Sequence, residues 1–270
     1  MAKKKPQPSN SKAAQARANA QAQVKAEERR TGVIIAAVSA VVILIFGGVV
    51  WFIIQSGQVP GLDSEDLAKP AASDVTGGIP VGTSGVVGED LPEDQPRLDI
   101  YLDYMCPICG QFEDVNAEDL DAMREAGEVE VYYHPISILD RFSNGTEYSS
   151  RAANAVATVA EEAPSAFLDF SNALFESQPA EGTEGLSDEQ ISQIAVAAGV
   201  PEDVAAQIEN GDYRKWVIAA TDQSSQDGVP GTPTLRIAEP GQSFDEGKVL
   251  EQSEVPYFEP GQLRTYIESF

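Results

Sequence analysis

The chain has 270 residues, with 43 acidic against 18 basic side chains, one histidine and a net charge of −25. Such a polyanion is repelled by nucleic acid and by anionic lipid surfaces, which excludes nucleic-acid binding and peripheral attachment to lipid headgroups. The charge is uneven: residues 1–32 carry eight Lys or Arg and only Glu27 and Glu28, whereas from residue 55 onward 41 acidic side chains face 10 basic ones.

Residues 1–32, rich in Ala, Gln and Lys and lacking an apolar face, read as a basic cytoplasmic tail. Residues 33–54, VIIAAVSAVVILIFGGVVWFII, contain no charge. As a helix of 1.5 Å rise per residue this stretch predicts one transmembrane span. The basic side stays cytoplasmic, so the C-terminal part is expected outside the cytoplasm. The following Gln55-Ser56-Gly57 offers no small-x-small cleavage pattern, so the span reads as an uncleaved, single-pass signal anchor in the cell membrane. Residues 55–94, dominated by Gly, Ser, Pro and acids, read as a flexible linker.

Residues 95–270 suffice for one domain with a sizeable core. Leu98–Tyr104 reads as a strand. A helix begins near Pro107, a residue tolerated in the first turn, carries Ile108, Phe112 and Val115 at helical spacing, and stops near Gly127. Val129, Val131 and Tyr133 alternate as a second strand, giving a βαβ start and an α/β class. Helical stretches follow: Arg151–Glu161, Ser165–Glu176, one opened by the Ser187/Gln190 capping box, one from Pro201, and one with Tyr213, Trp216 and Ala220. Strand-like Thr234–Ile237 and a terminal helix near Gln262–Ser269 close the chain, so the helices at about 148–226 read as an insertion within one α/β domain.

Asp103-Tyr-Met-Cys-Pro-Ile-Cys109 holds both cysteines of the chain, two residues apart at the junction of strand and helix. At a helix N-terminus the positive dipole end and free N–H groups favour a thiolate, so Cys106 is the candidate nucleophile. Cys109, one turn on, is placed to resolve a mixed disulfide at Cys106. Pro107 and Ile108 between them shape the site. Competing readings are a structural disulfide, whose small loop would constrain the unfolded chain weakly, and a zinc site, for which Cys106, Cys109 and His134 are one ligand short. No other cofactor or metal motif is present. His134 precedes Pro135 at a strand end and reads as a structural or surface residue, and Asn144-Gly-Thr146 is a weak glycosylation sequon.

The Asp-Tyr-x-Cys-Pro-x-Cys motif and Gly228-Val-Pro-Gly-Thr-Pro-Thr234 together resemble the DsbA-like branch of the thioredoxin superfamily, in its membrane-anchored actinobacterial form. The resemblance covers most of 95–270. It implies a thioredoxin fold with an inserted helical subdomain, here preceded by one transmembrane helix. It also implies that Pro233 is the family's cis-proline, shaping the groove, and that Thr232 pairs with an extended substrate backbone; Pro230 reads as a turn former. Two departures matter. Ile108 stands where strongly oxidising relatives have histidine, so the Cys106 thiolate loses a donor and the protein should be a milder oxidant. Ile100 stands where relatives often carry a buried acid; alternation puts Asp99 and Asp103 on the opposite face, and neither is assigned a catalytic role.

The expected function is an extracytoplasmic thiol:disulfide oxidoreductase, foremost an oxidase of exported cysteine-containing proteins cycling between Cys106/Cys109 dithiol and disulfide. By resemblance a membrane redox partner would recycle it, and residues 33–54 would embed it in the membrane. The alternatives are a tethered reductase or isomerase using the same residues, and a redox-inactive peptide-binding module with a groove around Met105, Ile108 and Pro233.

Overall fold

The computed structural model describes residues 60–92 and 94–270, the stretch 39–51, and residues 17, 19, 21 and 25. Two compact units divide the chain, 1–58 and 59–270. In the first, residues 39–51 are helical with exposed side chains, while 33–38 and 52–54 of the expected span lie outside the described residues. Among the described residues no helix is long and apolar enough to cross a membrane. That corrects the expectations of a transmembrane signal anchor, of embedding through 33–54 and of a single-pass cell-membrane location with an extracytoplasmic domain. The membrane-anchored form of the family and a recycling partner met through the anchor fall with them.

The segment read as a tether, 55–94, is packed from residue 60 onward, apart from residue 93, which like 55–59 lies outside the described residues. Leu62, Leu67, Ile79, Val81 and Val87 are all buried. Gly-, Pro- and Asp-rich sequence serves turns as well as linkers, and here it makes turns. The Asp74 carboxylate accepts from Thr76 N–H and Gly78 N–H at 2.9 Å each. That closes the turn leading into strand β1, Ile79–Val81.

The sheet has five strands: β1, β2 (Arg97–Leu102), β3 (Glu130–Pro135), β4 (Thr234–Ala238) and β5 (Lys248–Val249), in the order β1-β3-β2-β4-β5. β2 and β3 are parallel; the other pairs are antiparallel. Parallel neighbours need a long crossover, and helix α1, Pro107–Glu125, supplies it. Between β3 and β4 lie α2 (Tyr148–Glu162), α3 (Phe167–Glu176), α4 (Asp188–Ala197), the short α5 (Glu202–Ala205) and α6 (Arg214–Gln226); α7 (Gln262–Ile267) follows the sheet. The result is a mixed α/β thioredoxin-like fold with extra helices.

Central strand β2 is covered on both faces, so it is buried almost end to end instead of alternating. Leu98, Ile100 and Leu102 face one layer. Asp99 and Tyr101 face the other, where His134 is held: its Nε2 donates to Asp99 Oδ1 at 2.8 Å and its ring stacks on Tyr101 at 4.1 Å. Arg97 pairs with Asp99 and Asp74. His134 is therefore a buried structural residue. Alanine-rich α2 is the axis of the insertion, with Ala152, Ala153, Ala155, Val156, Ala157 and Val159 fully buried. Small side chains on most of its circumference allow other helices to pack close on several sides.

Candidate active site

Strand register places the site. Tyr101 of β2 pairs with Thr234 of β4, so the loop ending at Pro233 arrives beside the segment that leaves Leu102. That segment, Asp103–Met105, is pinned by its own carboxylate: Asp103 Oδ1 accepts from Met105 N–H at 2.9 Å and from Ser149 Oγ at 2.6 Å, and Oδ2 accepts from Leu139 N–H at 2.9 Å. Asp103 is fully buried, and burial raises its pKa to about 6 despite these donors.

Cys106 is the N-cap of α1, in extended conformation (φ −79°, ψ 111°), with Pro107 opening the helix. The buried face of α1 is Cys109, Phe112, Asn116, Leu120 and Met123, at helical spacing. Ile108 falls off that face and is 52 % exposed beside the cysteines, whereas Cys106 is 5 % and Cys109 0 % exposed. Both cysteines are free thiols.

Across 126 positions of sequence, the Cys106 thiol donates to the Thr232 carbonyl at 3.3 Å. The Thr232–Pro233 peptide is cis. As a thiolate, the Cys106 sulfur accepts from the Cys109 thiol, then from the Thr232 side chain and the N–H groups of Cys109 and Ile108. Against the cost of burial these bring its pKa down to about 6. Cys109 moves the opposite way, well above an ordinary thiol, because it is buried and because the Cys106 thiolate lies beside it. One thiol is thus ionised near neutral pH and the other stays protonated, the division of labour that thiol–disulfide exchange requires.

The structure brings Cys106, Cys109, Pro107, Ile108, Thr232 and Pro233 to one end of the sheet. Met105, read from sequence as part of an apolar groove, is completely buried and lines no surface. Two residues near the pair escaped the sequence reading. Glu113 lies one turn beyond Cys109 on the same face of α1; burial pushes its pKa up to about 8, and among the described residues its Oε1 has no hydrogen-bond partner. The i, i+4 spacing from Cys109 was the available signal. Gln178, after α3, donates to the carbonyls of Cys106 and Tyr104 at 2.9 and 3.2 Å, a contact with no local signature.

Comparison with known proteins agrees with this fold. Residues 83–252 match the family described as Thioredoxin. Among solved structures the chain is similar to the reduced disulfide bond oxidoreductase DsbG of Mycobacterium tuberculosis, at 32% identity over 64% of this chain and 77% of that one, with a TM-score of 0.54. It is similar also to reduced DsbA of the same organism, at 29% identity over 72% of this chain and 91% of that one, TM-score 0.57. Among curated proteins, the serine/threonine-protein kinase PknE of M. tuberculosis is 31% identical over 118 residues, 42% of this chain. The match spans only 21% of that kinase's length, so its kinase activity is not carried over. The family match extends over more than half of the chain, and the chain belongs to the thioredoxin family, where it resembles the disulfide oxidoreductases DsbA and DsbG.

Proposed function

We propose that the protein is a thiol:disulfide oxidoreductase working as an oxidase of cysteine-containing proteins. A substrate thiolate attacks the Cys106 sulfur of the Cys106–Cys109 disulfide, forming a mixed disulfide while Cys109 leaves and takes up a proton. A second substrate thiolate attacks the substrate sulfur of that bond. Cys106 leaves as a thiolate, the substrate has lost two electrons, and the protein holds them as a dithiol. A disulfide oxidant such as oxidised glutathione returns the pair to its starting state. Thr232 and Pro233 form the wall against which the substrate chain lies, and Ile108, two residues after Cys106, is exposed.

The observation that carries this reading is the asymmetry of the pair, a Cys106 ionising near pH 6 beside a Cys109 held neutral by burial. A stabilised thiolate favours the reduced protein and so makes its disulfide an oxidant. The Ile108 side chain supplies no donor to the thiolate, which supports a milder oxidant.

The test is the redox equilibrium of the pair in the full chain, read by thiol trapping across glutathione buffers. A potential of roughly −120 to −200 mV supports an oxidase or isomerase, whereas about −270 mV, thioredoxin's value, assigns a reductase instead. A pair that stays oxidised throughout is a structural disulfide, and Cys106→Ser would then leave function unchanged.

A further inference from the structure

The segment between α3 and α4 is fastened to the loop preceding α2. Gly182 N–H donates to Phe142 O at 2.8 Å, Asn144 Nδ2 to Gly182 O at 2.8 Å, and Thr146 Oγ1 to Glu184 O at 2.6 Å. From this anchored segment Gln178 reaches the redox loop, where its Nε2 donates to Cys106 O at 2.9 Å and Tyr104 O at 3.2 Å. The Cys106 carbonyl is also the acceptor of the first bonds of α1, from Cys109 N–H at 3.0 Å and Gly110 N–H at 3.3 Å. One amide therefore holds the backbone on both sides of Met105 and closes the helix end at which Cys106 ionises.

The helix makes room for this amide. A Cβ on Gly110 would lie 2.8 Å from Gln178 Oε1. Gly110 sits within α1 and is not among the glycines of positive φ, so its backbone conformation does not call for glycine. Glycine inside a helix is intrinsically worse than alanine. Space for the Gln178 side chain accounts for its presence.

We propose that Gln178 is a positioning residue of the redox pair: by holding the Tyr104 and Cys106 carbonyls it fixes the first turn of α1, and through it the helical insertion sets the redox properties of Cys106. This rests on the reading of Cys106 and Cys109 as a redox pair. The N–H groups of Ile108 and Cys109 stabilise the Cys106 thiolate only while that turn keeps them directed at the sulfur. Loss of the clamp raises the energy of the thiolate and shifts the pair toward its disulfide.

The experiment compares the full chain with Gln178→Met, which keeps length and removes both donors without adding charge, and with Gly110→Ala, which displaces the amide from the helix side. Alkylation of Cys106 is followed against pH, the glutathione equilibrium is read by thiol trapping, and thermal unfolding is recorded. In each variant the equilibrium is expected to move about three- to tenfold toward the disulfide, the size of one net hydrogen bond, with a matching rise in the alkylation midpoint. The double variant should move no further than the single ones, because both remove the same contact. Gly110→Ala should do this without lowering thermal stability, since alanine is the better helix former. Variants whose melting temperature falls while midpoint and equilibrium stay put would overturn the proposal, leaving Gln178 a packing residue. Failure of the unmodified pair to exchange with glutathione would instead refute the redox reading, and the alkylation midpoints would still decide the role of Gln178.

Discussion

Glu113 offers a sharp test of the electrostatics around α1. Its side chain is buried, and its pKa rises from the ordinary 4.5 to about 8, chiefly through burial, with Asp121 and Asp114 adding to the effect. Between those two values the folded protein holds a proton that the unfolded chain has released. Stability from this group is therefore complete below pH 4.5 and is lost as pH rises toward 8, the reverse of an ion-paired carboxylate. The slope is about 1.4 kcal/mol per pH unit, and over the interval the loss sums to roughly 5 kcal/mol. Glu113→Gln removes the titration and leaves a neutral side chain of the same shape. Urea unfolding at pH 5, 6, 7 and 8, followed by fluorescence of buried Trp216, should show the variant gaining on the wild type by about 1.4 kcal/mol per pH unit. The unpaired amide adds an offset that does not vary with pH. A stability difference constant across that range would refute the reasoning, because Glu113 would then be ionised in the folded state or already protonated in both.

Cys106 should alkylate with a pH midpoint of about 6, while Cys109 stays unreactive through neutral pH; a single midpoint near 9 for both would contradict the asymmetry. Ile108→His places a donor beside the Cys106 sulfur, and the glutathione equilibrium should move about tenfold toward the dithiol, near 30 mV. Asp103→Asn turns an acceptor of Leu139 N–H into a donor, leaving a buried donor unpaired, and should lower the unfolding free energy by about 1–3 kcal/mol in urea titration.

What was legible in the sequence was local. Strand, tight connection and helix around 98–125 follow from side-chain pattern and from a proline at the helix start, features that act within a few residues. The detail of that helix was read less well. Ile108, Phe112 and Val115 suggest one buried face, but packing against the sheet selects Cys109, Phe112, Asn116 and Leu120 and turns Ile108 outward. Composition misled at two places. The Gly- and Pro-rich stretch before residue 95 folds onto the sheet as β1, because its few apolar residues find a buried partner in β3. The apolar run 33–54 raised the expectation of a membrane span, and among the described residues no helix is long and apolar enough to cross one.

By itself the sequence determined that two thiols meet at a helix N-terminus, because a two-residue spacing closed by a helical turn leaves them little alternative. Tertiary structure decided how those thiols behave. The Thr232 contact depends on the register of β4 against β2, the Gln178 contact on the packing of an insertion, and the pKa of Glu113 on exclusion of water from the α1 face. Each arises from groups far apart in the chain or from burial itself, and neither register nor burial is encoded within the few residues around a motif.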